Sequence, residues 1–267
     1  MSSTQPVLYL PHGGGPMPLL GEPSHQELVA FLQQLPQRLG QPKAILLISA
    51  HWETAQPTLT SAPQPALFYD YYGFPPESYS ITYPAPGDPA LAQQIADLLR
   101  SAGFDPQLDG QRGFDHGMFI PLKLLFPTAQ IPVVQLSLLQ SLDPAAHIAL
   151  GKALAPLREQ GVLIIGSGMS FHNMHAFFHT ADSEQGRWAR EFDQWLIQSC
   201  CDPQLSAAQR EQRLAHWQEA PHARYSHPRE EHLLPLQVCF GAALATSAEA
   251  VFHGQVLGKT VVAFLWS

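Results

Sequence analysis

Three histidines of this chain each follow an apolar run that is typical of a buried β-strand. His12 follows the apolar run at residues 6–10, His51 follows the run at 44–49, and His172 follows the run at 161–167. Because ligands of open α/β sheets bind beyond the carboxyl ends of the strands, we expect these imidazoles to lie at one edge of a sheet. Imidazole nitrogen is a common ligand for zinc and for non-haem iron. The pattern therefore predicts a metal centre, with His12 and His51 as its first two ligands.

A third metal ligand has to come from a more distant part of the chain. His232 opens a predicted apolar helix, from which its side chain can point back toward the sheet edge. Because neighbouring residues on an α-helix diverge by about 100°, we do not expect His232 and Glu231 to face one ion. The residue pattern leaves the choice of third ligand open. The rivals of His232 are Glu230, Glu231, His227 and Glu53.

Further histidines could form a second metal site or serve as an oriented imidazole. His172, His175 and His179 are spaced as on one face of a helix and could form a separate metal site, although His175 and His179 also fit an ordinary helix face. His116 follows Asp115 just before another predicted helix. The carboxylate of Asp115 could orient the imidazole or raise its pKa, or Asp115 could simply cap the helix.

Alternating strand and helix patterns define the expected fold class. The predicted strands cover residues 6–10, 44–49, 131–138, 161–167 and 260–266. Helices are predicted at 25–35, 117–125, 144–157, 184–199 and 232–245, and between Pro89 and Gly103 with Asp88 as N-cap. This alternation is typical of an α/β fold with a central, mainly parallel (mixed) sheet flanked by helices. With no repeat and no linker, residues 1–267 are expected to form a single catalytic domain.

The composition narrows the class of protein. The 267 residues are 45% hydrophobic and 13% charged, and the net charge is −8 with no basic run, so we expect no nucleic-acid partner. No apolar segment approaches the roughly 18 residues of a membrane span, and the first residues lack the features of a signal peptide. Three cysteines, an odd number, fit a reduced compartment. We expect a cytoplasmic protein that does not bind membranes.

Six ordered motifs carry a resemblance to a known family. They are LPHGGGP, ISAHWE, FYDYYGFP with YPAPGDP, FDHGMFIPL, GSGMSFHN and EEHLLPL, and they span residues 8 to 240. In this order they resemble the class III extradiol ring-cleaving dioxygenases. The resemblance is to the branch similar to DOPA 4,5-dioxygenase, which is related to the catalytic subunit of protocatechuate 4,5-dioxygenase.

The resemblance implies a role for each of five histidines. His12, His51 and His232 would bind one divalent metal ion per chain. His172 would be the catalytic acid/base and a fourth ligand in a resting state, and His116 would lie beside the substrate or dioxygen. The expected partners are O₂ and a small aromatic diol such as DOPA, opened beside its hydroxyls to a muconic semialdehyde-type product. The resemblance does not decide whether the protein forms a homo-oligomer.

The third metal ligand departs from the pattern of the wider class. Its iron enzymes use two histidines and a carboxylate, whereas the matching position here is His232, as is usual in the DOPA-like branch. Three neutral ligands suit zinc at least as well as iron, although zinc cannot supply an electron to oxygen. The resemblance therefore implies Zn(2+) in the isolated protein and Fe(2+) for dioxygenase activity. A zinc-dependent hydrolase and a non-catalytic metal-binding scaffold are the alternative functions.

The substrate-binding residues are less well defined by the sequence. The aromatic segment at 68–79 is a candidate wall for the substrate ring, or it packs on the domain as loop aromatics commonly do. No basic cluster is present to bind a substrate carboxylate. Proximity to the motifs makes Arg112, Arg224 and Arg229 the candidates for that role.

Overall fold

An eight-stranded sheet organises the chain in the computed structural model, which describes residues 4–178 and 183–267. The strands are β1 (Val7–Pro11), β2 (Ala44–Thr54), β3 (Thr58–Thr60), β4 (Gln107–Asp109), β5 (Val133–Leu139), β6 (Val162–Gly168), β7 (Glu249–Val256) and β8 (Lys259–Trp266). Their order across the sheet is β4-β3-β5-β2-β6-β1-β8-β7. The central strands β5, β2, β6 and β1 are parallel, while β3 joins β5, and β8 joins β1 and β7, in antiparallel pairs. The predicted α/β fold with a mainly parallel, mixed sheet is confirmed.

Helices cover both faces of this sheet. They are α1 (Gln26–Gln34), α2 (Pro36–Leu39), α3 (Pro89–Ser101), α4 (His116–Leu125), α5 (Pro144–Leu154), α6 (Glu184–Cys201), α7 (Ala207–Ala215), α8 (Ala223–Ser226) and α9 (Leu234–Ala242). None of the helices within residues 4–178 and 183–267 is both long enough and apolar enough to cross a bilayer.

The two faces of the sheet bury separate hydrophobic clusters. Along β1, Val7 and Tyr9 point into the cluster that contains α3, α5 and α9, while Leu8 and Leu10 point into the cluster that contains α1 and α4. Because side chains alternate along a strand, a strand covered on both faces must be apolar throughout. This explains why the central strands were visible in the sequence as continuous apolar runs.

Several elements differ from their predicted bounds or were missed. The helix predicted at 232–245 begins only at Leu234, and the one predicted at 144–157 ends at Leu154 and continues as a 3₁₀ turn. The edge strands β4 and β7 were not predicted, because most of their side chains are exposed or half-buried and show no apolar run. Strand β2 continues past its predicted end to Thr54, so His51 lies within the strand.

Candidate active site

His12 and His51 are brought together by two strands that flank β6. His12 directly follows β1, and its backbone N–H donates to the carbonyl of Gly168 at the end of β6 (3.1 Å). His51 lies in β2 where the register with β5 shifts between Ile48 and Glu53. The Nε2 atoms of His12 and His51 are 3.0 Å apart. Two nitrogens bound to one tetrahedral zinc ion lie about 3.3 Å apart, so this spacing suits a shared ion.

His232 reaches the same place from the turn that precedes α9. Gly168 makes this approach feasible, because a Cβ atom there would lie 2.2 Å from the carbonyl oxygen of His232. That oxygen accepts hydrogen bonds from the Met169 N–H (3.0 Å) and from the Tyr9 hydroxyl (3.2 Å). The turn before α9 is thus fixed against the end of β6, and the imidazole of His232 is directed over the sheet edge.

The rings of His12, His51 and His232 form a nearly equilateral triangle. The centroid separations are 4.8 Å for His12–His51, 4.9 Å for His51–His232 and 5.3 Å for His12–His232. Three imidazoles around one tetrahedral ion at 2.0–2.1 Å would have centroids about 5 Å apart. The three residues therefore fit one divalent ion.

His116 belongs to the same cluster and is held by Asp70. It begins α4, and its ring centroid lies 3.9 Å from that of His51. Asp70 Oδ1 accepts hydrogen bonds from both the backbone N–H (2.9 Å) and Nδ1 (2.8 Å) of His116. Ligand atoms of His12, His51 and His116 all lie within 4.8 Å of one another, so this buried group could also hold a metal ion.

The carboxylate that orients His116 is therefore Asp70. The sequence left two roles open for Asp115, orienting His116 or capping the helix, and its side chain makes no capping hydrogen bond to α4. Asp115 is fully buried and points away from the imidazole, where its carboxylate accepts hydrogen bonds from Ser49 (2.7 Å) and Gln135. Burial raises the pKa of the Asp115 carboxyl. The role of Asp70 was missed because nothing in FYDYYGFP indicates that its carboxylate meets a residue 46 positions later.

His172 and Glu231 complete the cluster on the other side of His232. The rings of His172 and His232 are stacked, with centroids 3.4 Å apart. Glu231 Oε1 lies 2.9 Å from Nδ1 of His232 and 3.3 Å from Nδ1 of His172. Burial alone would raise the pKa of the Glu231 carboxyl, but the hydrogen bonds with His172 and His232 hold it well below its usual range. Because residues 231–233 form a turn and not a helix, Glu231 folds back onto the imidazole of its neighbour.

The hydrogen bonds at Nδ1 leave the Nε2 lone pairs of His12 and His232 directed away from Ser167 and Glu231, as metal binding requires. The Ser167 hydroxyl donates to the Gly117 carbonyl, so it accepts from Nδ1 of His12 (3.1 Å) and places that proton on Nδ1. The Glu231 carboxylate can only accept, which likewise places the proton of His232 on Nδ1. Such outer hydrogen bonds are the usual means of orienting histidine ligands.

Burial also keeps the central imidazoles neutral. It lowers the pKa of His12 and of His51 well below the ordinary value, and repulsion from the neighbouring imidazoles adds to the effect. Burial and the contact with His172 lower the pKa of His232 to about 4. Neutral imidazole is the form that binds metal ions.

Three of the four rival ligands lie elsewhere. The fourth, Glu231, does not: with His172 and His232 it forms a second group that could hold a metal ion, because residues 231–233 form a turn and the expected divergence of helical neighbours does not apply. Glu53 pairs with Arg229 (2.6 Å) and Glu230 pairs with Arg224 (2.6 Å). His227 is buried apart from the cluster, and its Nε2 donates to the carbonyl of Ser170 (2.8 Å). The proposed metal site on a helical face at 172–179 is not formed by the described residues, because His172 lies in a loop and His175 is exposed in a turn. His179 lies outside the described residues.

The five imidazoles form the floor of a cavity of about 390 Å³. Gly13, Gly14 and Gly15 pass along one side of it, and the aromatic segment supplies Tyr71, Tyr72 and Phe74. Part of the aromatic segment at 68–79 thus lines the cavity, while its role as a wall for the substrate ring stays a prediction. The volume lies within the range of about 300–1,000 Å³ that is usual for small-molecule sites.

Comparison with known proteins identifies the family. The family described as the catalytic LigB subunit of aromatic ring-opening dioxygenase matches residues 6–264. The chain belongs to this family. The predicted enzyme class, an extradiol ring-cleaving dioxygenase, is confirmed.

Individual relatives of this LigB family member cover almost the whole chain. The dioxygenase tasH of Hapsidospora irregularis is 40% identical over 98% of this chain and 85% of its own. The 4,5-DOPA dioxygenase extradiol of Beta vulgaris is 40% identical (92% and 90% covered), and that of Escherichia coli K12 is 36% identical (91% and 87%). The crystal structure of an uncharacterized protein of Escherichia coli K12 is 30% identical with a TM-score of 0.78, covering 98% of this chain and 100% of that one.

Proposed function

We propose that this LigB family member is a metal-dependent dioxygenase that opens a catechol beside its two hydroxyl groups. Both atoms of O₂ enter the ring-opened product, which is of the muconic semialdehyde type. The observation that carries the proposal is the convergence of His12, His51 and His232 with Nε2 of His12 and His51 3.0 Å apart. With the proton of His12 on Nδ1, its Nε2 can accept a hydrogen bond from Nε2–H of His51, and a metal ion would take the place of that proton. The relatives named for DOPA make DOPA the first catechol to test.

The metal ion would be held by His12, His51 and His232. When bound as Fe(2+), it supplies adjacent positions for the diol and O₂ and a path for an electron between them. His116 has the geometry to join this set, but its hydrogen bonds to Asp70 and the resemblance to the family favour a position beside the substrate or O₂. Zn(2+), which has no redox chemistry, would occupy the same ligands without turnover.

His172 is the proposed acid/base. Its Nδ1 lies against the carboxylate of Glu231, which directs Nε2 to the cavity side of the ring. Nε2 takes the proton of a substrate hydroxyl, and the positive charge that forms on the ring is balanced by Glu231 at 3.3 Å. The same proton is later returned to the reacting group, a reversal that suits histidine because its ordinary pKa is about 6.5.

The test of this function is isotope incorporation by the reconstituted protein. Metal-free protein is loaded anaerobically with Fe(2+) or Zn(2+), and DOPA, catechol and 4-methylcatechol are supplied with ¹⁸O₂. We expect one O₂ consumed per catechol with Fe(2+), two ¹⁸O atoms in the product by mass spectrometry, and no turnover with Zn(2+). Catechol oxidation without incorporation of ¹⁸O, or no reaction of the Fe(2+)-loaded protein with any catechol, would refute the proposal.

Matched variants test the ligand assignment. His232→Ala is expected to lower the bound metal to less than a tenth of the wild-type content, measured by elemental analysis after gel filtration. The control is His175→Ala, an exposed imidazole outside the cavity, which should retain the full metal content. If His232→Ala bound metal normally and His116→Ala did not, the third ligand would be His116.

A further inference from the structure

The outer half of the cavity is apolar, in contrast to its imidazole floor. Its lining residues beyond the histidines are mainly aliphatic, thioether or aromatic, namely Met17, Phe74, Met169, Met174, Phe177 and Leu257. Met174 is 63% exposed and Tyr72 is 91% exposed, so this surface continues to the mouth of the cavity. A substituent that projects outward from a ring seated on the imidazoles would contact these side chains.

The glycine loop after His12 holds one wall of this outer half in place. A Cβ atom on Gly14 would lie 3.2 Å from Leu257 Cδ1 and 3.3 Å from Met17 Sδ, and one on Gly15 would lie 3.2 Å from Phe74. The side chains of Leu257, Met17 and Phe74 therefore pack directly against the loop backbone. The bare backbone at 14 and 15 lets all three approach the metal-binding end of the cavity.

Leu257 takes this position at a conformational cost. It forms with Gly258 the two-residue connection of the β7–β8 hairpin, in which Val256 pairs with Lys259. Both connecting residues have positive φ, 52° for Leu257 and 72° for Gly258. Such turns favour asparagine or aspartate followed by glycine, and a bulky aliphatic residue is an outlier there. Among the described non-glycine residues with positive φ, Leu257 is the one that lines the cavity.

The side chains that line the cavity offer no cationic partner to an anionic ring substituent. The carboxylates of Asp70 and Glu231 contact the imidazole floor, and no lysine or arginine lines the cavity within residues 4–178 and 183–267. Residues 1–3 and 179–182 contain neither residue type. The three candidate arginines are each paired with a carboxylate: Arg112 with Asp115 (3.2 Å), Arg224 with Glu230 (2.6 Å) and Arg229 with Glu53 (2.6 Å).

We propose that the outer wall formed by Met17, Phe74 and Leu257 selects catechols with an uncharged, apolar ring substituent over catechols that carry a carboxylate. Leu257 is the specificity-determining residue, because the hairpin holds its side chain in the wall in a backbone conformation that leucine rarely adopts. This inference rests on the proposed function. It deepens that function by naming the substituent that the cavity accepts.

The probes are 3-(3,4-dihydroxyphenyl)propanoate and its methyl ester, which have the same ring and chain but differ in charge. With the Fe(2+)-loaded enzyme, we expect kcat/KM for the ester to exceed that for the propanoate by at least about tenfold, as expected for one charge brought to an apolar wall. Calorimetry on the Zn(2+)-loaded protein under nitrogen gives Kd for both probes without turnover. The ester is expected to bind at least about tenfold more tightly.

Substitutions at the hairpin test the role of Leu257. Leu257→Asn suits the turn and removes the apolar wall, so we expect an unchanged or higher Tm together with a fall of severalfold in the ester-to-propanoate ratio. Leu257→Lys places a cation in the wall and is expected to lower the ratio further, by about tenfold. Gln255→Lys adds the same charge to the exposed part of β7 outside the cavity and should leave the ratio unchanged.

The outcomes separate this inference from the function on which it rests. A tighter Kd for the ester, with no turnover by the Fe(2+) enzyme of either probe or of DOPA, catechol and 4-methylcatechol, would support the selective wall and refute the proposed function. Turnover of both probes with a ratio of one or less would refute the selective wall. The role assigned to Leu257 would be refuted if Leu257→Asn kept the wild-type ratio of kcat/KM for the ester to that for the propanoate. It would also be refuted if this variant had a lower Tm than wild type.

Discussion

Gly168→Ala is the substitution for which the structure makes the sharpest prediction. The new Cβ would lie 2.2 Å from the carbonyl oxygen of His232, whereas ordinary contact begins at 3.4 Å. The turn before α9 must therefore retreat by about 1.2 Å. The retreat breaks the hydrogen bonds that the oxygen accepts from Met169 and Tyr9.

The substitution should weaken metal binding strongly while the metal-free protein remains folded. Distances in a metal site tolerate changes of about 0.2 Å, so the displacement removes His232 from the ligand set. We expect the affinity for Zn(2+) to fall by at least about 100-fold, the upper end of what loss of an outer hydrogen bond costs. Overpacking of this kind destabilises a protein by about 1–3 kcal/mol, which the metal-free fold can tolerate.

The assay compares Zn(2+) calorimetry with urea unfolding of the metal-free protein. Gly110→Ala is the matched control, because its new Cβ would meet only the Ser61 hydroxyl at 3.7 Å, an ordinary contact. It should retain wild-type affinity and stability. If Gly168→Ala bound Zn(2+) as tightly as wild type while remaining folded, His232 would not be a ligand that depends on this close approach.

Three further predictions concern single residues around the site. His172→Ala should lower kcat by about 10²–10⁴-fold in the oxygen-electrode assay, since the loss is of acid/base function. Asp70→Asn should lower kcat/KM by about 10–100-fold, because it weakens the hydrogen bond that orients His116. Burial lowers the pKa of His25 to about 4, and its Nε2 accepts the Gly14 N–H, so protonation favours the unfolded chain. The contribution of neutral His25 to the free energy of unfolding is therefore complete above about pH 6.5 and is lost as the pH falls toward 4. In urea titrations, wild type should lose about 2 kcal/mol of stability through this residue between neutral pH and pH 5, and His25→Gln should not show that loss.

The strands that position the site were predictable because both of their faces are buried. β1, β2 and β6 read as continuous apolar runs, and the rule that ligands bind beyond the carboxyl ends of strands then selected His12, His51 and His172. The edge strands were not predictable in this way. β7 has mostly exposed or half-buried side chains, and its pairing with β8 depends on the two-residue connection at Leu257.

The partners of the imidazoles could not be predicted because they come from distant parts of the chain. Asp70 and His116 are 46 residues apart, and no local pattern distinguishes Asp70 from Asp115, which is adjacent to His116 in sequence. The contact between Gly168 and His232 is similarly remote, and only the resemblance to the family selected His232 among the rivals. The description of the matching family names an aromatic ring-opening dioxygenase, which favours that function over the alternative zinc hydrolase and metal-binding scaffold.

The position of Glu231 bears on how a three-histidine set can replace two histidines and a carboxylate. A carboxylate is present behind the third imidazole, because Glu231 lies 2.9 Å from Nδ1 of His232, one ring further from the proposed ion. A carboxylate behind an imidazole makes that imidazole a more basic ligand, so part of its charge still reaches the metal. The same oxygen lies 3.3 Å from His172, where it can balance the charge of a protonated acid/base. A carboxylate bound directly to the ion would be less available for that second contact, which gives a physical reason for histidine at position 232.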